Sequence, residues 1–115
     1  MPPLVPATIA TDALLARVGG DRTLLGAMVA LFLGECPAFV AGIRRALADR
    51  DGPALERTAH ALRGAVSNFA ADDAAQAALA LEVMGRDGDL TKADQAFRAL
   101  EDALERLRPA LEELR

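Results

Sequence analysis

At 115 residues the chain has room for one domain and one core, but not for a deep enclosed active site. Alanine fills 26 positions, Trp and Tyr are absent and Phe occurs four times, which favours packed helices over strands. Thirteen basic against 17 acidic residues leave a net charge of −4, the wrong sign for a nucleic-acid binder, and the single cysteine excludes an intrachain disulfide.

The elements follow in chain order. Residues 1–7 carry Pro2, Pro3 and Pro6 and are expected to be extended. Thr8 or Thr11 caps a short helix that runs to Val18 and stops at Gly19-Gly20. Asp21 caps a long second helix, about residues 21–50, whose apolar positions Leu24, Leu25, Met28, Leu31, Phe32, Phe39, Val40, Ile43 and Leu47 stay in helical phase across Pro37. One helix kinked near Cys36-Pro37 is the preferred reading, with two abutting helices as the alternative. Asp51-Gly52-Pro53 opens a third helix, about residues 53–70, with the seam Leu55, Ala59, Leu62, Val66 and Phe69. Asp72 or Asp73 caps a fourth, on which Ala74, Ala78, Leu81 and Met84 share a face. Arg86 to Asp89 form a loop. A last helix begins near Thr91 with the seam Phe97, Leu100, Leu104, Leu107, Leu111 and Leu114, and Pro109 is expected to kink or fray its end.

The economical fold is all-α: an antiparallel up-down-up-down four-helix bundle with a short extra N-terminal helix, forming a single domain over residues 1–115. No apolar run is read as approaching the roughly 20 residues of a membrane span. The N-terminus lacks the layout of a signal peptide. A cytoplasmic chain is expected, and its initiator Met and complete bundle favour a free-standing protein.

Most catalytic constellations fail on inventory. One His and one Cys do not build a zinc site of the usual kind, and no metal site is expected. Cys36, on the apolar stripe beside Pro37, reads as a buried structural thiol. No glycine-rich phosphate loop follows a strand. Glu112-Glu113 and Asp72-Asp73 read as helix-end or solvated charges.

His60 remains. With the third helix advanced 100° per residue, the seam residues fall within about 40° of its centre and His60 falls near 140°, on the opposite face. Glu56, Arg63, Gly64 and Ser67 share that side. A lone surface histidine can be an ordinary solvated residue. Arg63 at i+3 puts a guanidinium, which pairs with phosphoryl oxygens, over the same spot. Gly64 at i+4 costs roughly 1 kcal/mol against Ala in a helix interior. A bare patch that lets a partner approach would explain it. So would close packing of a neighbouring helix, or plain tolerance.

The segment Thr58-Ala59-His60-Ala61-Leu62-Arg63-Gly64-Ala65-Val66-Ser67-Asn68-Phe69-Ala70 resembles the signature of histidine-containing phosphotransfer (HPt) domains, approximately Ala-His-x-Leu-Lys-Gly followed by small residues, an apolar residue and a Gly. Phe32 to Asp51 and Leu81-Glu82 are also similar to this family, so that the resemblance covers nearly the whole chain. Arg63 stands where the family more often has Lys, and Ala70 where Gly is frequent.

The resemblance implies a four-helix bundle acting in two-component phosphorelays. His60 would accept a phosphoryl group from a receiver-domain aspartyl phosphate and pass it to another receiver. Arg63 would steady phosphoryl oxygens. Gly64 would leave room for the docking receiver, with Glu56 and Ser67 beside it on the partner-binding face. The chain would be a monomeric phosphocarrier and no enzyme in the usual sense, with no cofactor of its own and Mg²⁺ supplied by the receiver. Its partners would be response-regulator receivers and a hybrid histidine kinase, and neither nucleic acid nor membrane. The alternative is a non-catalytic helical adaptor that binds a receiver or another partner through an exposed face without phosphotransfer, which covers a degenerate member of the family.

Overall fold

Two aspartates each accept a hydrogen bond from the backbone N–H three residues on, Asp21 from Leu24 at 2.9 Å and Asp51 from Ala54 at 3.1 Å. Each thereby satisfies one of the free donors at a helix start. In the computed structural model, which describes residues 11–69 and 71–115, these caps open α2 (Arg22–Ala48) and α3 (Gly52–Ser67). A short α1 (Thr11–Arg17) precedes them, and α4 (Asp72–Asp87) and α5 (Ala93–Glu112) follow. All regular structure among the described residues is helical. The extended segment expected over residues 1–7 and the cap at Thr8 lie outside the described residues.

The second helix is continuous through Pro37, which is exposed and so turns its ring to solvent. Gly19 and Gly20 adopt φ of 65° and 79°, the left-handed region open to glycine, and end the first helix where expected. Other boundaries differ from the sequence reading. The N-cap of α4 is Ala71, without a side-chain hydrogen bond, and Asp72 and Asp73 lie in its first turn. There their charge still favours the positive end of the helix dipole. The last helix starts two residues later than expected. The Thr91 N–H and hydroxyl both donate to Asp89 instead of opening a helix. Pro109 does not end α5, which continues to Glu112.

The seams are the core. Leu55, Ala59, Leu62 and Val66 are fully buried and Phe69 nearly so; Leu100, Leu107 and Leu111 of α5 and Ala74, Ala78 and Leu81 of α4 belong to the same buried cluster. α3 packs on α2 and α4, α5 packs on the same two helices, and α1 rests on α2. Phe32 and Phe69 join α2 to the end of α3, with ring centroids 5.4 Å apart. One expectation needs correcting. By length and composition α2 is a helix able to cross a membrane, because its Gly, Ala and Pro residues interrupt apolar runs without adding charge. Leu25, Val29, Phe32, Ile43, Ala46 and Leu47 on one side of it are core residues.

α3 and α4 approach until their backbones touch. A Cβ on Gly85 would lie 2.6 Å from the Gly52 carbonyl oxygen and 2.7 Å from the Glu56 nitrogen. A Cβ on Gly52 would lie 2.8 Å from the Gly85 carbonyl oxygen. By contrast, a Cβ on Gly64 would meet nothing within 4 Å. The two glycines therefore predict opposite stability changes. Gly85→Ala should destabilise the fold by about 1–3 kcal/mol through overpacking against backbone atoms. Gly64→Ala should stabilise it by about 0.4–1 kcal/mol, by restricting the unfolded chain. Urea unfolding of both variants checks the pair.

Candidate functional site

His60 stands on the solvent side of α3, its side chain 65% exposed. Beneath it lies Glu82 of α4, among the described residues the one charged residue in the core, 4% exposed. Two arginines hold that carboxylate. Arg63 Nε donates to Oε1 at 2.8 Å, and Arg86 Nη2 donates to Oε2 at 2.9 Å. The Arg63 hydrogen bond is the largest influence on Glu82 and keeps its carboxyl below the usual carboxylate range, against the opposing effect of burial. Arg86 also donates through Nε to Glu56 at 3.0 Å, and this bond raises the Arg86 pKa.

The imidazole is tied to the same network. His60 Nδ1 is 3.2 Å from Glu82 Oε2 and 3.2 Å from Arg63 Nη2. An ionised carboxylate only accepts and a guanidinium only donates, so these contacts select different tautomers. With the proton on Nδ1, the ring donates to Glu82 and keeps a lone pair on Nε2. With the proton on Nε2, Nδ1 accepts from Arg63 and no ring lone pair faces solvent.

The residues singled out from the sequence take distinct places. His60 and Arg63 meet directly. Gly64 is exposed and open, so close packing of a neighbouring helix does not explain it. Ser67 is exposed and donates to the Arg63 carbonyl oxygen at 2.7 Å. Glu56 turns toward α4, where Arg86 occupies its carboxylate. Cys36 is a free, half-buried thiol whose pKa is raised mainly by burial.

The sequence reading assigned no role to Glu82 or Arg86. A signal was available. Ala78, Glu82 and Gly85 follow at steps of 4 and 3, so an acid stands on the buried stripe of α4, where a charge needs a partner. Arg86 one turn on is that partner.

The depressed Glu82 pKa fixes the sign of an acid effect. The stabilisation is fully present above the unfolded glutamate value of about 4.3 and is lost as pH falls from there through the lower folded value. Glu82→Gln should therefore cost roughly 1–3 kcal/mol at neutral pH, by removing a charged acceptor from two arginines that are partly solvated. Below pH 4 the gap between variant and wild type should narrow. Thermal unfolding from pH 3 to 7 measures it; a pH-independent gap would exclude Glu82 as an ionised anchor.

The sequence model of the Hpt domain matches residues 27–110, which include every residue of this site. No curated protein and no solved structure matches the chain. Hpt domains are helical bundles that carry phosphoryl groups without a kinase activity of their own, and they interact with receiver domains and histidine kinases in phosphorelays. With an exposed histidine at its centre and a match spanning most of its length, the chain belongs to the Hpt domain family.

Proposed function

We propose that this chain is a monomeric, cytoplasmic phosphorelay intermediate in which His60 takes a phosphoryl group from one receiver and hands it to another. The observation that carries the reading is the exposed imidazole with Nδ1 3.2 Å from a buried, ionised carboxylate. In this reading Nδ1 holds the proton and donates it to Glu82. A charge-assisted bond to a desolvated carboxylate favours that tautomer, and Nε2 is left as the nucleophile facing solvent.

α2 to α5 are read as an antiparallel up-down-up-down bundle. Its support is the order of the contacts: Glu56 meets Arg86 and, one turn further along α3, His60 meets Glu82, one turn earlier on α4; late α2 lies by early α3 at Gly42 and Thr58, and Asp73 at the start of α4 pairs with Arg106 late in α5.

The transfer balances on these atoms. The Nε2 lone pair attacks the phosphorus of the receiver's aspartyl phosphate. The P–O bond to the aspartate breaks, its electron pair leaves with the carboxylate, and an N–P bond forms. The ring then carries positive charge, which Glu82 stabilises through Nδ1–H. Attack by the aspartate of a second receiver reverses the sequence and returns the neutral imidazole. Arg63 has guanidinium donors within reach of phosphoryl oxygens at His60. Mg²⁺ held in the receiver's own site would neutralise charge on the transferring group. Gly64 leaves the receiver's backbone room to approach.

His60→Gln should abolish labelling by a phosphorylated receiver and keep the helical circular dichroism, since the residue is outside the core. Arg63→Ala should slow transfer by about 10- to 100-fold, the value of a hydrogen bond to a charged group. Gly64→Gln should melt near wild type yet accept phosphate poorly, because a long side chain now stands beside the imidazole. Phosphate on the wild-type chain should be labile to acid and stable to base. A wild-type chain that binds phosphorylated receivers and never becomes labelled would be an adaptor instead.

A further inference from the structure

Beside the ridge that carries His60, α2 presents a strip of its own. Leu24, Met28, Leu31, Glu35, Ala38 and Gly42 follow at steps of 4, 3, 4, 3 and 4 and therefore share one face. Leu31 is 63% exposed and Leu24 46%. Two contacts place the strip along α3. At one end a Cβ on Gly42 would meet Thr58 Cγ2 at 3.1 Å. Toward the other, Met28, Leu31 and Glu35 line a cleft with Ala65 and Asn68. Ala38 thus lies between these contacts, level with the turn of α3 that bears His60.

Glu35 is the only charged residue from Thr23 to Ile43. It is exposed, and among the described residues no cation pairs with it. The quartet under the imidazole behaves differently: Glu56, Glu82, Arg63 and Arg86 pair with one another and cancel. On α3 the charged side chain outside any such pair is Arg57, next to Thr58 and so at the Gly42 end of the strip. Arg17 stands toward the other end, its guanidinium donating to the Ser67 and Asn68 carbonyl oxygens, so Glu35 is the one acid of a strip bracketed by cations.

We infer that Glu35 is a specificity residue, which selects receivers whose docking face sets a Lys or Arg against the middle of the α2 strip. This rests on the phosphorelay reading above. An apolar patch alone accepts any apolar face in several registers. A single acid within it rejects partners that leave the carboxylate desolvated and unpaired, and it fixes the register of those that do not. The charge acts on encounter and docking, since Glu35 has no contact with the imidazole network.

The experiment uses a phosphorylated receiver that labels the wild-type full chain. Glu35→Lys should raise the receiver concentration for half-maximal transfer by about tenfold, as expected for a like-charge contact. The rate at saturating receiver should stay at wild type, and raising salt should shrink the difference. Reversal to Glu of one Lys or Arg on the receiver's docking face should restore transfer to Glu35→Lys and impair transfer to wild type. An unchanged half-maximal concentration, or a loss confined to the saturated rate, would overturn the assignment. So would a strip that serves a lipid surface, detected as co-sedimentation of wild type with phosphatidylcholine–phosphatidylserine vesicles that Leu31→Ser abolishes. Failure of the phosphorelay reading looks different: then no receiver labels even the wild-type chain.

Discussion

A carboxylate 4% exposed to solvent cannot stay ionised unless the protein supplies what water would have given it. Glu82 receives Arg63 on one oxygen and Arg86 on the other, at 2.8 and 2.9 Å. Both arginines keep part of their side chains in water, 34% and 54% exposed, so the cluster is dry at its base and open at its top. That gradient matters for a site that works on its surface. The anchored anion orients the groups above it, while the imidazole remains accessible to a partner. Were the arginines fully buried too, desolvation would offset most of the attraction. Were Glu82 exposed, screening would weaken its hold on the ring.

Placing an acid of one helix under the histidine of another requires the two backbones to come close. Gly52 and Gly85 allow this, since neither carries a Cβ and each faces a carbonyl oxygen of the other helix. The Glu56–Arg86 pair sits beside that crossing, and the His60–Glu82 contact one turn beyond. A lateral shift at the crossing would thus be felt at Nδ1. Gly64 is the same residue type with the reverse logic: it faces open space, and its cost to the helix is not repaid by packing within the chain.

The sequence made the helices legible because their cores repeat at steps of 3 and 4. Every position of the α3 seam is buried. Asp21 was readable as a cap because short acids accept from N–H groups one turn on; at the Asp51-Gly52-Pro53 break the sequence reading rested on Pro53, and the structure makes Asp51 the cap. Asp72 and Asp73 offered the same chemistry, yet Ala71 takes the cap position and leaves them inside the first turn. The membrane-length apolarity of α2 escaped a reading by runs, since small residues dilute a run without making it polar. Half of the site was local: His60, Arg63 and Gly64 lie within two turns. Glu82 and Arg86 lie one turn apart on their own helix, but that they meet His60, Arg63 and Glu56 of α3 is set only by packing.

Arg63 shows how the two halves depend on each other. The signature that this segment resembles more often has a lysine there. A lysine ammonium is a compact charge, able to sit beside one acceptor on a flexible stem. The Arg63 guanidinium spans two groups at once, Nε toward Glu82 and Nη2 toward the imidazole nitrogen. Its Nε is held by the carboxylate below, so its outer donors stand at the height of the ring. The cost of ordering that side chain is met in the resting state by Glu82. In the proposed relay a lysine would have to be recruited to the phosphoryl oxygens, whereas this arginine would already be placed, and the buried acid on α4 is what places it.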